Sequence, residues 1–157
     1  MDSQPFTLFH VAISLIAIVT GFIVVYGLFR ANRMSGVTVL FLLTTAATSI
    51  TGFFFHRDHL LPSHIVGIVA LIVMIPTLAA LYAFDLRGRW RVVYVIGAIV
   101  SLWFNVFVLI AQGFQKVAPL HDLAPTGSEP PFAIAQGIVF VLFIVMTVGA
   151  LSRSKSI

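Results

Sequence analysis

Five long apolar runs, separated by short polar segments, dominate the chain. They are Thr7–Phe29, Val37–Phe55, Ile65–Phe84, Val92–Phe114 and Phe132–Leu151. A transmembrane helix needs about 20 apolar residues. Each run is about that long, and none contains Lys, Arg, Asp or Glu. The pattern predicts an all-α integral membrane bundle of five transmembrane helices, a single domain over residues 1–157. The connections are short except Gln115–Pro131, and no internal repeat or low-complexity segment is present. The first run does not read as a cleavable signal, because Met1–Pro5 has no positive residue and the run exceeds a typical signal core.

Punctuation fits these boundaries. Pro62-Ser63 opens the third run, with Ser63 as a capping hydroxyl. Ser128-Glu129-Pro130-Pro131 opens the fifth: a capping hydroxyl, an acid at the positive end of the helix dipole, and prolines in the first turn. Pro76 lies inside the third run and is expected to kink it. The backbone bond it removes must be replaced by a neighbouring helix. A structural kink is the simpler reading, and a gating hinge the alternative.

Composition sharpens the class. Of 157 residues, 60% are hydrophobic and 9% charged, against roughly 25% charged in soluble domains. The mean hydropathy is +1.10. Five spans leave no room for a Rossmann or Walker-type nucleotide domain. The absence of cysteine excludes disulfides, iron–sulfur clusters, thiolate metal sites and c-type haem attachment. There is no HExxH, GxSxG or glycine-rich phosphate loop. No acid lies in mid-span, and no pair of broken helices marks a transport site.

The few charges are sorted. Arg30, Arg33, Arg87, Arg89, Arg91, Arg153 and Lys155 fall in segments that an odd number of spans puts on one side. Asp2, Asp58, Asp122 and Glu129 fall on the other. The positive-inside rule then places the N-terminus outside and the C-terminus in the cytoplasm. The net charge of +4 reads as orientation in a lipid bilayer, and no nucleic-acid partner is expected. Arg87-Gly88-Arg89-Trp90-Arg91 reads as an interfacial anchor.

All five histidines fall on the outer side. His56, His59 and His121 lie in loops, where an imidazole is ordinarily solvated. His10 and His64 lie at helical positions near the outer interface, where ionisable groups are costly and become functional candidates. Either can instead bond to a neighbouring helix. Ser101, Asn105 and Gln112 share a face of the fourth run, followed by Lys116, and Gln136 lies one turn inside the fifth. The hydroxyls Thr44, Thr45, Thr48, Ser49 and Thr51 of the second run read as helix–helix contacts. His10, His64, Gln112, Lys116, Gln136 and Glu129 share the outer third of the bilayer, so a polar pocket open to the outside is expected there.

Three stretches carry a resemblance: Leu61-Pro62-Ser63-His64-Ile65-Val66-Gly67; Asn105-Val106-Phe107-Val108-Leu109 with Gln112 and Lys116; and Leu123-Ala124-Pro125-Thr126 with Ser128-Glu129-Pro130-Pro131-Phe132. Together, over most of the chain, they resemble a family of small bacterial inner-membrane proteins of unassigned function. The resemblance implies a multi-pass protein of the bacterial inner membrane. It matches the family's early histidine with His10 and its Pro-Ser-His entry with His64, and implies no activity. Phe55-His56-Arg57-Asp58-His59 departs from the family's apolar, proline-containing stretch, which shifts weight from a four-histidine cage to His10 and His64. The plan and size are also similar to the tryptophan-rich sensory protein family, but Trp90 and Trp103 are the only tryptophans, and that reading is not adopted.

The first functional expectation is a redox or ligand-binding protein whose outer-side pocket holds haem b or a transition metal (Cu, Fe or Zn). His10 and His64 would be ligands, with His56, His59, His121 and Glu129 as further metal donors. Arg57 and Lys116 would neutralise propionates, and Asn105, Gln112 and Gln136 would line the pocket. No catalytic residue is assigned. The alternatives are a binder or carrier of a small apolar or lipid-like molecule such as a quinone, and an accessory subunit of a larger membrane complex. A homo-oligomer is compatible with each.

Overall fold

A computed structural model describes residues 3–55 and 62–154. Its elements are α1 (Gln4–Phe29), α2 (Ser35–Gly52), α3 (Pro62–Leu78) continuing as a π-helical turn (Ala79–Ala83), α4 (Arg89–Lys116), α5 (Ala118–His121) and α6 (Pro130–Arg153). No strand occurs among the described residues. Five helices are long and apolar enough to cross a membrane. They match the five predicted runs, with differences at the ends. α2 stops at Gly52, so Phe53–Phe55, expected inside the second span, lie beyond it. α5, not anticipated, folds part of the long connection into one turn started by Pro119.

The surface is inverted relative to a water-soluble protein. Leu43, Ile75, Tyr82, Val145 and Val148 are exposed, while Thr38, Thr45, Thr77 and Ser101 are fully buried. In hydrocarbon this is the stable arrangement. Lipid solvates aliphatic side chains as well as a protein core does, whereas hydroxyls gain from partners inside the bundle: Thr45 accepts from Asn105 and Thr38 donates to the Arg33 carbonyl beside the Tyr94 hydroxyl, while Thr77 bonds within α3. α4 is the central helix, packing against α1, α3 and α6 and, more lightly, α2. Its Tyr94, Val95, Ala98, Ile99 and Leu102 form a core with Val24 and Leu28 of α1, Phe41 of α2 and Phe143 of α6.

Small residues set the close approaches. A Cβ on Gly97 of α4 would collide with the hydroxyl of Thr77 on α3, and one on Gly21 of α1 would meet Leu102 Cδ1 at 2.5 Å and Phe41 Cε2 at 2.8 Å. Pro76 sits inside α3. The nearby Thr77 hydroxyl donates to the Val73 carbonyl at 2.7 Å. The helix then widens, Phe84 N–H donating to the Ala79 carbonyl. A π turn shortly after a proline absorbs the disturbed register without ending the helix.

The end formed by the α1–α2 and α3–α4 turns carries Arg30, Arg33, Arg87, Arg89 and Arg91. Arg33 pairs with Asp85 at 2.7 Å, and that guanidinium's hydrogen bond holds the exposed Asp85 carboxyl below its usual range. Arg91 donates to Ser154 Oγ at 3.0 Å, fastening the C-terminal end of α6 to the start of α4. The Phe84 and Trp90 rings stack at 3.8 Å across the same turn.

Candidate functional site

At the opposite end of the bundle, α1, α2, α3 and α4 splay around a cavity of about 290 Å³. Antiparallel succession explains why residues far apart in sequence meet there. The beginning of α1 (Thr7, His10, Ser14), the end of α2 (Thr48, Ser49, Gly52), the beginning of α3 (His64, Gly67) and the end of α4 (Asn105, Gln112, Lys116) all line it. Val11, Leu15, Ile18, Val66, Ala70, Phe104, Val108 and Leu109 supply apolar wall. At 1.5 Å per helical residue, the α4 stripe runs about 16 Å from Lys116 to Asn105, close to half the thickness of a bilayer's hydrocarbon core.

His10 is half-buried on α1. Its Nδ1 lies 2.8 Å from Thr51 Oγ1, and its ring meets Phe55 edge-on at 5.0 Å. Thr51 in turn donates to the Ala47 carbonyl at 2.7 Å. One turn below, Ser14 donates to the His10 carbonyl at 2.7 Å and, more weakly, to Thr48 Oγ1 at 3.4 Å. His64 is buried, its ring stacked on Phe53 at 5.6 Å. Two imidazoles from different helices therefore face one cavity, each held by an aromatic neighbour.

α4 supplies the third wall. Asn105 is buried and donates from Nδ2 to Thr45 Oγ1 at 3.0 Å, tying α4 to α2. Gln112 Oε1 is shielded from solvent and has no hydrogen-bond partner among the described residues. Such an oxygen costs about 1–3 kcal/mol unless a donor reaches it. Lys116 is exposed, one turn further out.

Five residues expected to cluster do so: His10, His64, Asn105, Gln112 and Lys116. The others lie elsewhere. Gln136 donates to the Phe107 carbonyl at 3.0 Å, joining α6 to α4, and does not line the cavity. His121 is exposed at the end of α5. Glu129 caps α6. Its carboxylate turns back to accept from Thr126 N–H, Thr126 Oγ1 and Ser128 N–H. The Thr126 backbone hydrogen bond is the largest cause of its pKa falling to about 2. The capping residue of α6 is thus Glu129, not the expected Ser128, whose hydroxyl pairs with Thr126 Oγ1 at 2.6 Å. His56, Arg57 and His59, and the Ser63 side chain, lie outside the described residues. Among the described residues no group of three or more His, Cys, Asp or Glu is placed to hold a metal ion.

Sequence reasoning missed Ser14 and took Thr51 as a packing hydroxyl. The available signal was the four-residue spacing of His10 and Ser14, which makes a polar stripe on an otherwise apolar helix. Comparison with family models, with curated proteins and with solved structures found no match.

Proposed function

We propose that the protein is a multi-pass inner-membrane protein that binds a small, largely apolar molecule with a polar head, of the quinone or lipid-like class, in this cavity. The carrying observation is the cavity itself: mostly aliphatic and aromatic wall, with His10, His64, Asn105 and Gln112 converging on it from three helices. Ligand sites generally combine an apolar lining with a few placed polar groups. About 290 Å³ lies just below the roughly 300–1,000 Å³ typical of such sites, which suits one substituted ring or head group better than a tetrapyrrole. The cationic turns lie at the opposite end, so the positive-inside rule opens the cavity to the extracytoplasmic side. Ligand would then enter from the outer leaflet or the outer solution, past Lys116.

A second reading has one specific observation behind it. His10 and His64 face the same cavity, and two imidazoles can ligate haem iron or a single metal ion.

One preparation separates the two. The protein is purified in mild detergent, then subjected to native mass spectrometry, solvent extraction, visible spectroscopy and metal analysis. The apolar-ligand reading expects a retained organic molecule, or saturable uptake of a decyl-substituted benzoquinone or hydroquinone, from a colourless, metal-free protein. A Soret band or stoichiometric copper, iron or zinc would favour the second reading. A protein that retains nothing and takes up neither probe would overturn the first.

A further inference from the structure

The hydrogen-bond network around His10 specifies which head group the cavity takes. The Thr51 hydroxyl has one proton and three oxygen or nitrogen neighbours: the Ala47 carbonyl at 2.7 Å, His10 Nδ1 at 2.8 Å and, further off, the Thr48 carbonyl at 3.3 Å. A carbonyl oxygen only accepts. If the hydroxyl donated to His10, two lone-pair-bearing oxygens would face each other at 2.7 Å without a hydrogen between them. Both short contacts are hydrogen bonds only when Thr51 donates to Ala47 and His10 Nδ1–H donates to Thr51. The neutral imidazole is thereby assigned as the Nδ1–H tautomer, and Nε2 carries a lone pair. This is the arrangement in which one ring nitrogen's partner fixes the role of the other.

His10 Nε2 makes no hydrogen bond to a described residue, and the side chain lines the cavity. On the facing helix, Gln112 Oε1 is a second acceptor, with no donor among the described residues. Its amide turns about a soft terminal torsion, so it can follow a ligand. His10 Nε2, the acceptor whose role is fixed, matches a ligand that donates there, and the Gln112 oxygen can accept a second donor.

Resting on the ligand-binding reading above, we infer that the cavity selects a hydroxylated ring, the hydroquinone form of a quinone-like molecule, over its oxidised dicarbonyl form. A hydroquinone offers one O–H to His10 Nε2 and the other to Gln112 Oε1. The quinone has only carbonyl oxygens and would set acceptor against acceptor at His10 Nε2, whose role the Thr51 and Ala47 bonds fix, whichever end the Gln112 amide presents. Sites built to bond a hydroxyl reject the analogue lacking it strongly, because the buried partner is left unpaired.

The test uses the full chain in lipid nanodiscs, neutral pH, without oxygen, with decylhydroquinone and decylquinone as paired probes. Wild type is expected to bind the hydroquinone about tenfold or more tightly than the quinone, a ratio corresponding to at least one matched hydrogen bond. Thr51→Val removes the acceptor of Nδ1–H, frees the ring to change tautomer, and is expected to lose most of that ratio. Thr51→Ser keeps the hydroxyl and is expected to retain it. Nitrogen-15 shifts of His10 should report a protonated Nδ1 and a bare Nε2 in wild type and Thr51→Ser, and a mixture in Thr51→Val. Equal binding of both probes, tighter quinone binding, or a bare Nδ1 would overturn the donor selection and leave the ligand-binding reading standing. Binding of neither probe would overturn the donor selection, and in a protein that also retains no organic molecule on purification it would overturn both.

Discussion

The bond at the cavity floor is the sharpest test of the packing. Asn105 Nδ2 donates to Thr45 Oγ1 at 3.0 Å; Thr45 is fully buried and Asn105 only 9% exposed. In water a buried pair of this kind competes with solvent, whereas here the competitor is lipid or another helix. Measured couplings between polar side chains in membrane bundles average about 0.6 kcal/mol and reach about 1.7. Asn105→Ala also leaves the Thr45 hydroxyl without its donor, so the single variant should lose more, about 1–3 kcal/mol. A cycle of Asn105→Ala, Thr45→Val and the double variant isolates the pair. Unfolding by SDS in mixed micelles, followed through Trp103 two residues away, gives each free energy. The expected coupling of about 0.6–1.7 kcal/mol is about a 3- to 18-fold change in the folded-to-unfolded ratio. Additive singles, with a coupling indistinguishable from zero, would refute the pairing and with it the keying of α4 to α2 beneath the cavity.

Three further outcomes are expected. Gly97→Ala should lower stability by about 1–3 kcal/mol through overpacking, because its Cβ meets the Thr77 hydroxyl; adding Thr77→Ala should recover part of the loss in the same SDS titration, and no recovery would mean the clash lies elsewhere. Glu129 has its pKa depressed from 4.5 to about 2, so the order it gives the turn before α6 is present above pH 4.5 and is lost as pH falls through about 2. The protection of the Thr126 and Ser128 amides, their exchange taken relative to the intrinsic rate at each pH, should fall over that window, and Glu129→Gln should flatten the dependence; a pH-independent wild-type protection would contradict the carboxylate's role. Because the chain has no cysteine, single-cysteine labelling of intact cells is clean: Ser128→Cys should react with an impermeant maleimide and Ser152→Cys only after lysis, and the reverse pattern would invert the orientation.

The spans were legible because hydrocarbon imposes one rule on every lipid-facing position, and the five runs obey it without a charged exception. The helix ends were less so. Phe53–Phe55 are as apolar as the rest of the second run, and nothing in their side chains announces that the helix stops at Gly52. The shared depth of His10, His64, Gln112 and Lys116 followed from counting turns along antiparallel helices, and the cavity brings them together. Gln136 shared that depth too, but depth does not say which way a helix face is turned, and its amide went to Phe107. The role of Thr51 was not readable at all. A threonine in a membrane helix ordinarily bonds the carbonyl one turn back, as Thr20 and Thr44 do here. That the same oxygen also receives His10 depends on the packing of α1 against α2.

Ligand binding in the cavity is tested most directly by one substitution. Gly67 lines the cavity, and a Cβ there would meet Phe53 and Ser49 only at ordinary contact distances of 3.5–3.6 Å. Gly67→Ala should therefore fold and bind as wild type does, while Gly67→Leu projects three further carbons into the cavity. Saturable binding of decylhydroquinone to wild type and Gly67→Ala in nanodiscs, reduced about tenfold or more in a folded Gly67→Leu, is the predicted result. Equal binding by all three, or binding by none, would contradict the assignment of this cavity as the site.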